Sequence, residues 1–436
     1  MAHGAFVEPT ARAADREWNL PGPSRTLDPS VKFGVTSPGS PEVTTVSEEA
    51  RALELVEELL ATFPPGTCST EEFLGAQYDL GLAWVHFPEG FGGLGYSPKV
   101  QNAINARISA AKGPLPYGRN PIGYGMCAPT IVMHGSDAQK RRYLRPLFTA
   151  EEIWCQMFSE PGAGSDVAGL STRAERDGDE WILNGQKVWT TLAHVARFGI
   201  VIARNDPEAV KHKGLTMFVL DLHDPGVEVR PLVQITGEAE FNEVYMTDVR
   251  VADDERLGDV GEGWHASLTT LMNERVSIGG QVSPRGSGMI AMAVNLWNKG
   301  DRSDVVARDE LAKLWVDAEC QRLTNLRASG NRKQGTPGPE GSTGKLSMAL
   351  LNQRIANWVM NHQGMSSTLY DGYTFDRPKI ALDLSTPTKA FLRVQANSIE
   401  GGTTNIMRNI LGERVLGLPG EPRVDRDIPW SQVARS

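Results

Sequence analysis

The chain of 436 residues exceeds what one hydrophobic core organises, so two or three domains are expected. Apolar residues at 40% and charged residues at 22% fit a soluble globular protein, and a net charge of −9 argues against a nucleic-acid binder, which needs a basic face. Four scattered cysteines without metal-ligand spacing, no HxxxH or HExxH pair and no apolar run near the roughly 18 residues of a membrane helix lead us to expect a metal-free, cytoplasmic protein.

Residues 1–45, rich in Pro, Gly, Ser and Thr without periodicity, are expected to form an extended arm. A capping pattern at Thr45-Val46-Ser47-Glu48 precedes Leu53, Val56, Leu59 and Leu60 at helical spacing, and similar signals start at Ser69 and Ser136. Residues 46–150 are therefore predicted to be a helical domain. Residues 151–257 change texture. Asn184-Gly185 lies between apolar stretches and predicts a hairpin turn, followed by short strands at 199–203, 216–220, 227–229 and 244–246. Helical periodicity returns at Trp264, with Leu268, Leu271, Met272, Val276 and Ile278 able to share a face. After a loop at 330–341 it continues to residue 418, leaving a C-terminal tail at 419–436.

Two nucleotide-like motifs are decoys. Gly90-Phe91-Gly92-Gly93-Leu94-Gly95 satisfies GxGxxG, but Pro88 precedes it and Pro98 follows where a strand and a helix are required. Gly344-Lys345 has Leu346 in place of the Ser or Thr of a phosphate loop.

Phe158-Ser159-Glu160-Pro161-Gly162-Ala163-Gly164-Ser165-Asp166 is a small-residue loop whose backbone N–H groups and hydroxyls could wrap an anionic group. With its surroundings, SEPGAGSDVAGLSTRAERDGDEWILNGQKVWTT, it resembles the acyl-CoA dehydrogenase family. So do PEGFGGLG, GSDAQKRRYL, FNEVYMTDVRVADDERLGDVGEGW and IEGGTTNIMRNILGERVLG, in order, across about residues 46–418.

The resemblance implies an α+β fold: an N-terminal helical domain (46–150), a middle β-sheet domain (151–257) and a C-terminal four-helix bundle (258–418). It implies FAD as cofactor, an acyl-CoA substrate oxidised to the trans-2-enoyl-CoA, and an electron-transfer flavoprotein as acceptor. By position, Gln156, Phe158, Ser159, Gly164, Ser165, Trp189, Thr191, Thr403, Thr404 and Asn405 would meet FAD. Ser165, Asn273, Arg275, Gly401 and Gly402 would meet substrate.

The reaction needs a carboxylate to remove the thioester α-proton. Many family members carry it in a Glu-Gly-Thr tripeptide, but here the sequence is Gly401-Gly402-Thr403, with Glu400 one residue early. A second branch, resembling isovaleryl-CoA and long-chain dehydrogenases, has its base on a C-terminal-domain helix just before an arginine. That position is Glu274, followed by Arg275. Glu274 is the expected base and Glu400 the alternative.

The family's Arg-x-x-Phe-Gly segment, which reaches a neighbouring subunit's FAD, is replaced by Asn298-Lys299-Gly300-Asp301-Arg302-Ser303-Asp304. Its Leu-Gly-Gly partner is altered to Asn361-His362-Gln363-Gly364-Met365. This resembles members that form mixed tetramers and accept bulky acyl-CoAs such as steroid side chains, so both a homotetramer and a heterotetramer are open. Competing readings are a monooxygenase or oxidase of the same fold, a non-catalytic subunit and, against the acidic balance, a DNA-associated relative.

Overall fold

Ser47 opens the first helix by accepting the Ala50 N–H at 3.2 Å. The computed structural model describes residues 47–279, 282–331, 341–370, 372, 374–379, 384, 386–425 and 427–434. The expected N-terminal arm, residues 332–340 of the glycine-rich loop and the side chains of Val276 and Ile278 lie outside the described residues.

Five helices lead: α1 (Glu48–Thr62), α2 (Thr70–Asp79), α3 (Val100–Ala110), α4 (Ala128–His134) and α5 (Asp137–Thr149). Ser69 with Glu72, and Ser136 with Gln139, form reciprocal capping boxes at α2 and α5, each satisfying two N–H groups that the helix start would leave unpaired. A single π-helical turn, Gly123–Cys127, runs into α4.

The strands are β1 (Trp154–Met157), β2 (Arg173–Asp177), β3 (Glu180–Lys187), β4 (Phe198–Arg204), β5 (Leu215–Asp221), β6 (Val227–Leu232), β7 (Phe241–Ala252) and β8 (Arg256–Leu257). They form one mixed sheet in the order β6-β7-β3-β2-β4-β5-β8, with β1 parallel to β4. Both faces of β4 are covered. Ile200 and Ile202 join the core shared with the N-terminal helices, whereas Val201 and Ala203 face a second core with Trp181, Phe218 and Val244.

The Asn184-Gly185 expectation fails: β3 continues through both residues, and the register shifts between Leu183 and Gly185 as a bulge. Asn184 is held across the sheet instead, donating to Asp248 Oδ1 at 3.0 Å and accepting the Asp248 N–H at 2.9 Å. Glycine is needed at 185 for closeness, since a Cβ there would stand 2.4 Å from Thr172 Oγ1. The hairpin turn lies earlier, at Gly178-Asp179, with Asp177 opposite Glu180.

After the sheet come α6 (Gly263–Gly279), α7 (Met289–Lys299), α8 (Val305–Asn331) and α9 (Gly341–His362), followed by α10 (Pro387–Val394) and α11 (Thr404–Ile410). Helix α9 packs against α6, α7, α8 and α10. Met289, Ile290, Leu311, Leu314, Ile355 and Val359 lie in the core of this bundle. Gly344-Lys345 lies within α9, not in a phosphate loop. Among the described residues no helix is long and apolar enough to cross a membrane, and no group of His, Cys, Asp or Glu is arranged to hold a metal ion.

Candidate active site

Helix α6 sits where the three parts of the chain meet, packed on the π turn, on α4, on β4 and β5, and on α9. Polar contacts fix its rotation. Tyr117 Oη is 2.8 Å from Ser277 Oγ, Thr130 Oγ1 is 2.8 Å from Thr270 Oγ1, and His134 Nε2 is 2.9 Å from Thr269 Oγ1. Residues 270, 274 and 277 share a helix face, so these contacts also aim Glu274.

The Glu274 carboxylate accepts Gln156 Nε2 from β1 at 3.3 Å. Glu274 is half-buried by accessible area, yet its carboxyl is packed deeply enough that desolvation raises it above the usual carboxylate range. Gln156 and the Arg275 charge oppose that rise and Glu400 reinforces it, while Lys345 opposes it from α9. Both candidate carboxylates therefore share one electrostatic neighbourhood.

Their surroundings differ. Glu400 is held by Arg393 Nη2 at 3.0 Å and by Asn397 Nδ2 at 2.6 Å, and Arg393 also reaches Glu240 at 2.9 Å. For Glu274 the sole hydrogen bond among the described residues is the one from Gln156. Beyond Glu400, Gly401 and Gly402 take left-handed φ angles of 61° and 88°. A left-handed backbone suits glycine and disfavours a glutamate at 401. Among the described residues the N–H groups of Gly401 and Gly402 have no acceptor, so two donors stand side by side.

The small-residue loop is anchored from below. Buried Glu160 accepts Lys187 Nζ at 2.8 Å and the N–H groups of Ser171 at 2.7 Å and Thr172 at 2.9 Å. Burial alone would raise the Glu160 carboxyl, but Lys187 and these N–H groups hold it below the usual carboxylate range. Lys187 also donates to the Phe158 carbonyl, and the Val188 N–H donates to Ser159 O at 2.9 Å, which ties the end of β3 to the loop. Next comes Trp189, 57% exposed and left-handed at φ 59°, edge-on to Phe241. An exposed, conformationally strained tryptophan at a strand end suits a surface that a planar ligand covers.

The fit to a flavin cofactor can be judged from the same residues. The hydroxyls of Ser159, Ser165, Thr191 and Thr404 make no hydrogen bond among the described residues, and buried Gln156 Oε1 and Thr190 Oγ1 lack partners. A Cβ at Gly162 or Gly164 would meet open space. Unpaired polar atoms around an exposed aromatic surface match a large polar heterocycle with hydroxyl and phosphate groups. Thr403 is used otherwise, accepting the Ile406 N–H at 3.1 Å as the cap of α11. Asn405 accepts from Arg408, and Asn273 donates back to Thr269 O at 2.9 Å, so its amide serves its own helix. Arg275 is half-buried and makes no ion pair among the described residues.

Family models match three consecutive segments: the acyl-CoA dehydrogenase N-terminal domain over 54–151, the middle domain over 155–249 and the C-terminal domain over 261–416. The chain belongs to the acyl-CoA dehydrogenase family. The family's oxidoreductases bind FAD, which the residues above fit. The chain is 36% identical over 345 residues to acyl-CoA dehydrogenase IpdE1 of Mycobacterium tuberculosis, covering 79% of this chain and 86% of that protein. It is 38% identical over 343 residues to acyl-CoA dehydrogenase FadE34 of the same organism, covering 78% of this chain and 45% of the longer relative. The ChsE4–ChsE5 complex from M. tuberculosis shares the fold, with a TM-score of 0.64 at 24% identity over 87% of this chain and 100% of that one.

Sequence reasoning missed Lys345 and Arg393. In the sequence Lys345 stands out only as part of the phosphate-loop decoy. The signal for both is polarity in an apolar setting: a Lys or Arg among Gly, Leu, Phe and Val on helices that must pack.

Proposed function

We propose that this acyl-CoA dehydrogenase removes the α-proton of an acyl-CoA thioester with Glu274 and yields the trans-2-enoyl-CoA. The observation that carries the reading is the contrast between its two carboxylates. Glu400 is ion-paired with Arg393 and accepts a hydrogen bond from Asn397, whereas desolvated Glu274 has one amide donor and an elevated proton affinity. A base poised toward neutrality combines a large ionised fraction with a strong drive to take a proton. The paired N–H groups of Gly401 and Gly402 would receive the thioester oxygen, where negative charge grows as the α-proton leaves. Half-buried Arg275 would meet the CoA portion, where a guanidinium fork suits phosphate.

Ser159, Ser165, Trp189, Thr191 and Thr404 would hold FAD, which supplies the acceptor for the β-hydride. An electron-transfer flavoprotein would then receive the electrons. Exposed apolar side chains at Met365, Leu369, Ile399 and Leu416 support a tetramer. The altered 298–304 segment, together with a fold neighbour described as a ChsE4–ChsE5 complex, supports a mixed one.

The test is anaerobic bleaching of the flavin-loaded protein by a panel of acyl-CoAs. Glu274→Gln should retain flavin and lose turnover by ~10²-fold or more, the scale of a general base, whereas Glu400→Gln should keep most of it. The opposite order would reject Glu274. Rapid oxygen consumption by reduced protein would favour the oxidase reading.

A further inference from the structure

Lys345 is fully buried on α9, 0% exposed, and its Nζ donates to the carbonyl oxygens of Asn397 at 2.6 Å and Gly402 at 2.7 Å. Those two bonds hold the segment carrying Glu400, Gly401 and Gly402 against α9. The turn favours glycine at 402, where φ is 88° and Met407 Cε packs into the space a Cβ would take.

Neutral donors would suffice to tether two carbonyls. A buried ammonium carries a desolvation cost that such bonds alone offset poorly. Among the described residues no carboxylate comes within 4 Å of Nζ, so no contact ion pair compensates the charge. Two carboxylates lie further out, Glu400 and Glu274. Glu400 is already satisfied by Arg393 from α10 and by Asn397. Glu274 has Gln156 from β1, Arg275 from its own helix with Arg414 beyond it, Glu400 from the turn and Lys345 from α9.

We infer that Lys345 is a positioning residue for the dehydrogenation site: it clamps the Gly401–Gly402 turn through the Gly402 carbonyl. This rests on the dehydrogenase reading above. The same side chain keeps the N–H pair in place for the thioester oxygen, and its ammonium leans in the direction of an ionised Glu274.

The test uses flavin-loaded wild type, Lys345→Met and Lys345→Gln, each checked for flavin content and melting temperature. First, kcat/KM is measured against pH with the acyl-CoA that bleaches wild type best. The acidic limb should move up by ~0.5–1 pH unit in both variants, the size expected for losing one charge at intermediate range. Second, binding of the 3-thia analogue of that acyl-CoA, which can lose its α-proton but has no hydride to give, should weaken by ~10-fold or more while free CoA binds as before. A limb that stays in place in a folded, flavin-loaded variant overturns the charge role, and unchanged analogue affinity overturns the clamp. The clamp is read from Lys345→Met, or from Lys345→Ala should that variant not fold, because Lys345→Gln keeps two donors and tests the charge alone. If no acyl-CoA bleaches wild type, it is the dehydrogenase reading that fails.

Discussion

Arg393 Nη2 lies 3.0 Å from Glu400 Oε2, and the same guanidinium, 6% exposed, reaches Glu240 from the loop before β7. One side chain thus joins α10, the glycine turn and the sheet, and it spends the Glu400 charge on architecture.

Removing that guanidinium takes one charged partner away from each of two carboxylates. Arg393→Met should cost about 3–5 kcal/mol in urea denaturation, the range for breaking a buried ion pair from one side. The double variant with Glu400→Gln should recover part of the loss. A cost below ~1 kcal/mol, typical of exposed pairs, would show that the network contributes little.

The elevated proton affinity of Glu274 has a sign for stability. A carboxyl bound more tightly to its proton in the folded state than in the unfolded one stabilises the fold at low pH, and that contribution is lost as pH rises through its folded value. Glu274→Gln should therefore melt at a higher temperature than wild type at pH 8, with the gap closing as pH falls toward the ordinary carboxylate value of 4.5. A lower melting temperature at pH 8 would contradict a desolvated carboxyl at this position.

Lys187 and Glu160 form a buried pair beneath the small-residue loop. Lys187→Met should destabilise by about 3–5 kcal/mol and reduce flavin content in the purified protein. The anchor lost is the one that Lys187 gives to the Phe158 carbonyl and to Glu160, Ser159 being held by the Val188 N–H; absorbance near 450 nm and a denaturation curve report the two effects separately. Full flavin retention in a destabilised variant would confine the pair to a structural role.

Gly401 needs its left-handed conformation. Gly401→Ala should lose about 1–2 kcal/mol, the cost of placing a Cβ in that region, read as a lower melting temperature. An unaffected melting temperature would mean that the turn relaxes without penalty.

Local chemistry was legible in the sequence, and distant pairings were not. The capping boxes at Ser69 and Ser136 are decided within four residues, and both form as their spacing indicates. Asn184-Gly185 misled because its turn signal is also local, while the bulge that replaces it depends on Thr172 and Asp248 across the sheet. Strand β1 escaped notice since Trp154, Cys155 and Met157 are all buried, leaving no alternation to detect. For the site, Glu274 and the small-residue loop are named as candidates through family resemblance. The grip of Arg393 on Glu400, and that of Lys345 on Gly402, depend on chain crossings that no periodicity encodes.

Gln156 and Glu274 are 118 residues apart in the chain, and Lys345 meets Gly402 across a further 57. During synthesis, the helical and sheet portions can pack while α9 is still inside the ribosome, but the glycine turn can be held against α9 only once Gly402 has emerged. A chain halted before that glycine would present Glu274 without the turn that Lys345 grips.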